Sequence, residues 1–219
     1  MQAKVEYMLQ RDASLVNATN YSDNVVLHSR CYSSPLHVAA RHNQPDCVKT
    51  FINDGRASVN ATDGYGLTAL LVAASAGSTE ACNVLLQHPD CRVNATDQWG
   101  STTLHHAARE GHAETVKVLL QHPDCRINAP DPSYGGGTAL HCAARAGHIE
   151  AIKVLMQHLD CRANATDWRG DTALSGAITA GSTEATNVLA LYMHRNKDRD
   201  DYTSTLIKET STSNVLTSF

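Results

Sequence analysis

Twelve histidines and seven cysteines stand in a chain of 219 residues, and several fall at intervals that metal coordination uses. His88, His122 and His158 each precede a cysteine by three residues, in QHPDCRVNATD from Gln87, QHPDCRINAPD from Gln121 and QHLDCRANATD from Gln157. One such pair supplies two ligands, whereas a structural zinc takes four that converge. The same stretches place Asn94 and Asn164 in Asn-Ala-Thr sequons, as Asn17 and Asn60 are, and Asn20 opens Asn-Tyr-Ser. No Gly-x-Ser-x-Gly turn, phosphate loop or His-Glu-x-x-His helix is present. Polar residues recurring at equal intervals line a surface and do not converge on a pocket. The chain is therefore expected not to be an enzyme, and to need no metal and no cofactor.

The elements that would position these groups follow from the period. Asn60, Asn94, Asn128 and Asn164 succeed one another at steps of 34, 34 and 36, after a gap of 43 from Asn17. A second marker keeps step with them: SPLHVAA from Ser34, TALLVAA from Thr68, TTLHHAA from Thr102, TALHCAA from Thr138 and TALSGAI from Thr172. In each, the leading hydroxyl sits where it caps a short helix. Pro35, at the first helical position, needs no amide partner. The alanine pairs allow that helix to approach its neighbours closely. A second helix follows, as in Glu114 to Gln121, with Val116, Leu119 and Leu120 on one face. Neither helix buries its apolar side alone, so the units must stack.

These motifs resemble the ankyrin repeat, whose Thr-Pro-Leu-His-x-Ala signature and period of about 33 they match. Gly111-His112, Gly147-His148 and the Val-Leu-Leu runs add to the likeness, which covers residues 4 to 193. The resemblance implies a mainly α solenoid of stacked helix-turn-helix units with short β-hairpin loops. Residues 1–195 form the expected repeat domain, with a partial unit over about 4–20 and five repeats beginning near 33, 64, 98, 132 and 168. The connection from Tyr21 to Ser33 is nine residues longer than the others. Residues 196–219 mix charge with Ser and Thr and read as a cap or a flexible tail.

Stacking at roughly 8–10 Å would make Cys91, Cys125 and Cys161 a ladder with rungs too far apart for disulfides, which need Cα atoms within about 7 Å. Reduced thiols filling small apolar sites are expected, with a redox or metal site as the alternative. His37, His105 and His141 hold the signature position, where a histidine in this family ties the hairpin loop to the helix. Asn128 keeps the place of the sequon asparagines although Ala-Pro follows it. The resemblance therefore gives this residue a loop role, and the sequons are expected to be unused.

Composition narrows the partner. A net charge of −4 with no basic block gives no support for nucleic acid. No apolar run reaches the roughly 18 residues of a membrane span, and MQAKVEYMLQRD has no signal-type stretch. A cytoplasmic protein, nuclear as the alternative, is expected, without membrane insertion and monomeric. Solenoids of the resembled kind bind partners along a concave face of hairpin tips and first helices. Tyr65, Trp99, Tyr134 and Trp168, with Arg169 beside the last, fall in the tips. Such rings either anchor a partner or shield their own hairpins. Arg41, Arg109 and Arg145 repeat at one first-helix position, with Ser75 and Thr179 breaking the row. The row either meets an acidic segment or is a solvated face. His106 has no place in the signature and joins the candidates. The expected function is an adaptor or scaffold that binds a partner protein. The alternative is the repeat part of a pathogen effector, acting in a host cytosol, or of a channel, with activity located elsewhere.

Overall fold

A computed structural model describes residues 33–53 and 57–195. The partial unit at 4–20, the stretch from Tyr21 to residue 32, Asn17, Asn20, Cys31 and the tail 196–219 lie outside the described residues.

Helices come in pairs. The first of each pair are α1 (Pro35–Arg41), α3 (Ala69–Ser75), α5 (Thr103–Arg109), α7 (Ala139–Ala146) and α9 (Ala173–Thr179). The second are α2 (Pro45–Asn53), α4 (Thr79–Leu86), α6 (Ala113–Leu120) and α8 (Ile149–Gln157), and a further helix runs over 183–195. The alanine pairs of the first helices are buried, with Ala40, Ala74, Ala108 and Ala144 all fully covered. A methyl is the largest group that fits there, which is why the first helices lie in one row, each packed on the next (α1 on α3, α3 on α5, α5 on α7, α7 on α9). The second helices form a parallel row, α2 to α4 to α6 to α8. Val116 and Leu119 point wholly into the seam between rows, and Leu120 packs partly against it.

Each first helix starts as the sequence dictates. Ser34, Thr102 and Thr138 form capping boxes in which the histidine three residues on takes the reciprocal role, while Thr68 and Thr172 cap with the hydroxyl alone. The hairpins ahead of them close on one antiparallel bridge each, Thr62 to Thr68, Thr96 to Thr102, Asp131 to Gly137 and Thr166 to Thr172. The expected short hairpin loops are present in this reduced form.

Main-chain groups at the other end are held by an asparagine of the preceding unit. The Nδ2 of Asn60 donates to Asp90 O at 2.6 Å, and its Oδ1 accepts from Arg92 N at 3.0 Å. Asn94 holds Asp124 O and Arg126 N in the same way, and Asn128 holds Asp160 O and Arg162 N. Within those turns His88, His122 and His158 accept through Nδ1 from the N–H of the aspartate two residues on. The repeated stretch that suggested metal or glycan chemistry is thus a turn, locked by its histidine and clamped by the preceding unit's asparagine.

Candidate functional site

The tips are built on four aspartates. Asp63 Oδ1 accepts from the N–H groups of Tyr65 and Leu67, Asp97 Oδ1 from those of Trp99 and Ser101, and Asp167 Oδ1 from those of Arg169 and Asp171, all at 2.9–3.0 Å. Asp131 Oδ1 accepts from Ser133 N at 2.9 Å. One carboxylate oxygen therefore fixes each tip. The other faces a first helix.

There the cations are found. Arg109 Nη2 donates to Asp131 Oδ2 at 2.9 Å, and Arg145 Nη2 to Asp167 Oδ2 at 2.7 Å. Each arginine so ties its own first helix to the tip 22 residues later. Ser75, 22 residues before Asp97, offers no cation, and His106 Nε2 lies 2.9 Å from Asp97 Oδ2 in its stead. That pairing accounts for His106, which has no place in the signature. Arg41 stands 22 residues before Asp63 but is exposed and makes no ion pair among the described residues. Asp63 Oδ2 is buried and has no hydrogen-bond partner.

Burial works against the charge of Asp131, but hydrogen bonds from Ser133 and Ser101 outweigh it and hold the pKa below the ordinary carboxylate value. At Asp167 burial is likewise overcome, by the N–H groups of Arg169 and Asp171 and by Arg145. Both tips therefore keep their negative charge, and both guanidiniums stay bound.

The aromatic residues divide by surroundings. Tyr65 and Trp99 stack across adjacent tips, with centroids 6.1 Å apart and planes inclined by 22°. Trp99 is 53% exposed and Trp168 70%. Trp168 lies on Gly136, where a Cβ would fall 2.2 Å from the indole nitrogen. Tyr134, closing the short 3₁₀ turn Pro132–Tyr134, has the Arg109 guanidinium 4.7 Å and the Arg145 guanidinium 5.8 Å from its ring centre. Main-chain bonds run from tip to tip as well, Gln98 N to Tyr65 O and Trp168 N to Gly135 O. The structure brings Tyr134, Arg109 and Arg145 into one cluster, and places Tyr65 and Trp99 in a second. Arg169 is exposed beside Trp168.

The thiols lie apart from this surface chemistry. Cys47, Cys82, Cys91, Cys125, Cys142 and Cys161 are all unpaired. Burial raises Cys82 to about 12 and Cys91, Cys125, Cys142 and Cys161 to about 11, so none of these five carries a nucleophilic thiolate near neutrality. Among the described residues no three His, Cys, Asp or Glu side chains converge as a metal site would require.

The aspartate row is what inspection of the sequence passes over. Its signal is the constant interval of 22 from Arg41, Ser75, Arg109 and Arg145 to an aspartate.

Paired helices in two rows, joined by single-bridge hairpins whose tips carry ring and charge, define a helical-repeat protein with an elaborated tip surface. A family model for ankyrin repeats, in three copies, matches residues 4–97, 36–131 and 104–201, and the chain belongs to that family. Comparison with curated proteins gives no match. Repeats of this family generally serve as protein–protein interaction modules. No helix among the described residues is long and apolar enough to cross a membrane.

Proposed function

We propose that this array is an adaptor or scaffold, of cytoplasmic setting, that holds a partner protein along its hairpin tips and the adjoining first helices. The observation that carries the reading is the exposure of two tryptophans in the tips, Trp99 at 53% and Trp168 at 70%. Large rings that stay in water while alanines fill the core are surface groups available to a partner. Their mounting is rigid: one is stacked on Tyr65, the other is seated on Gly136. Rigid rings lose little entropy on contact, which favours them as anchors.

The charged candidates take two roles in this reading. Arg109, Arg145 and His106 are joined to tip aspartates, so they hold the surface in shape, and the two arginines cover Tyr134. Arg41 and Arg169 have no ion pair among the described residues and are the cations available to steer an acidic stretch of the partner.

The test begins with affinity capture and mass spectrometry, then titrates the captured protein at two salt concentrations. Trp99→Ala should cost about 2 kcal/mol or more of binding energy if that ring is a central anchor. Arg41→Ala should slow association at low salt and matter less at high salt. Lys117, whose side chain is 59% exposed on α6, lies in the other helix row, and Lys117→Ala should change nothing. A folded Trp99→Ala protein with unchanged affinity, together with loss on Lys117→Ala, would move the binding surface to the second-helix face.

A further inference from the structure

Asp90, Asp124 and Asp160, with Arg92, Arg126 and Arg162 two residues after each, recur in the turns that join one unit to the next. Their main chains are committed. Each Asp O and Arg N is held by one asparagine of the preceding unit, at 2.6 Å and at 2.9–3.0 Å. Their side chains are not. All are exposed, and among the described residues neither an ion pair nor a hydrogen bond reaches their charged groups, apart from the ring of His158, 4.0 Å from Asp160 Oδ2. At the tips, by contrast, Arg109 and Arg145 each find an aspartate within the chain.

The clamps set how these charges are arranged. One amide bonds both main-chain groups of a turn, so the aspartate and the arginine of that turn stand at one level of the stack. Exposure alternates along the turn as in extended chain, with Asp and Arg out and the cysteine between them turned in. Cys91 is 9% exposed, and Cys125 and Cys161 pack against the core. The same clamp at three successive units then draws two rows side by side along the stack, one acidic and one basic. Both rows have the pitch of the units themselves. Exposed apolar groups adjoin them in each turn, Pro89, Pro123 and Leu159, the last 80% exposed.

Such a face selects its occupant by charge. A polyanion that reached the arginines would meet three aspartates at the same levels, and a basic segment would meet three arginines. What matches both rows at the same pitch is the same face of a second copy. A two-fold axis along the stack lays unit on unit with the stacks parallel, and sets the acidic row of each copy on the basic row of the other. A two-fold axis across the stack would set like on like. We propose that the chain pairs with a second copy through this turn face, as a parallel dimer in place of the monomer expected from the sequence. Asp124 of each copy faces Arg126 of the other, with the pairs of the adjoining units on either side. The contact uses none of the tip groups assigned to a partner protein, so the two readings are tested separately.

Sedimentation equilibrium of the full chain at low and high salt measures the association. A reversible dimer is expected, and it should weaken as salt rises because exposed ion pairs are screened. Asp124→Arg and Arg126→Asp leave the clamped main chain in place, and the two-fold makes each of them set like charges together twice. Each variant should keep its helical circular dichroism and weaken the dimer at least about tenfold. Mixed in equal amounts, the two should recover the original affinity as a heterodimer, since every reversed charge then meets its opposite. The double variant carrying both changes should recover it as well. Asp90→Arg and Arg92→Asp repeat the cycle one unit away, should either central variant fold poorly. A chain that stays monomeric at every concentration overturns the dimer. A dimer indifferent to both reversals is formed through another surface and overturns it too. So does a mixture in which the reversed variants fail to rescue each other, since the rows then do not face their opposites.

Discussion

Asn94 uses both ends of its amide on the following unit, donating to Asp124 O at 2.6 Å and accepting from Arg126 N at 2.9 Å. Removing it breaks two hydrogen bonds, so Asn94→Ala should lower unfolding free energy by about 1–3 kcal/mol in urea titration. Asn164 holds the same sequence place, but is exposed and makes no hydrogen bond among the described residues. Asn164→Ala should therefore change stability by less than about 0.5 kcal/mol. Equal losses at the two positions would show that the clamp contributes nothing. The contrast also bears on the sequons: a glycan on Asn60 or Asn94 would be attached to the nitrogen that donates to the next unit. From the sequence these asparagines read as local loop residues. Their partners lie 30 and 32 residues away, in a neighbour whose position only the stacked fold supplies.

At the scale of elements, the helix-to-helix turn is a tight joint. Gly111 ends α5 with φ of +77°, and a Cβ there would fall 2.5 Å from the Nδ1 of His148 in the next unit. That histidine cannot withdraw freely, because its Nε2 is bonded to Arg109 O at 2.9 Å. Gly111→Ala thus meets both a left-handed backbone and a ring, and should cost roughly 3 kcal/mol or more. Gly181 has φ of +72° but open space around it, so Gly181→Ala should carry the backbone penalty alone, about 1–2 kcal/mol. Thermal melts of both variants decide the point, and equal shifts would mean that the inter-unit packing yields. The helix pairs, their caps and the core faces were legible in the sequence because hydroxyl, proline and alanine act within one or two turns of themselves. The tip surface was legible only in part. Trp99 and Trp168 announced themselves by type, whereas the aspartate row needs a cation from the preceding unit to acquire meaning. Arg109 and Arg145 read as a row that either meets an acidic segment or is a solvated face; the fold gives each an aspartate of its own.

For the whole molecule, the signature histidines couple stability to pH. His37, His105 and His141 accept through Nδ1 from the N–H of the capping residue, which leaves the proton on Nε2 to be donated to Leu67 O, Ala129 O and Asp171 O in the following tips. All three are nearly inaccessible to water, and burial lowers each pKa below its ordinary value of 6.5 against the opposing pull of carbonyls and carboxylates nearby. A folded pKa below the unfolded one means that the unfolded chain binds protons first as the solution is acidified. The contribution of these three contacts is fully present above pH 6.5 and is lost progressively as pH falls below it. Asp131 and Asp167 act in a separate window, since their lowered values delay any loss until pH falls below 3.8. Between pH 7.5 and 5.0 the urea midpoint should therefore drop, with a slope of up to about 1.4 kcal/mol per pH unit for every proton taken up on unfolding. His105→Gln and His141→Gln should each be less stable at pH 7.5 yet flatter in their pH response, because the titrating group is gone. If both variants keep the full slope, the acid sensitivity resides in other histidines, and the helix-to-tip contacts remain intact when protonated.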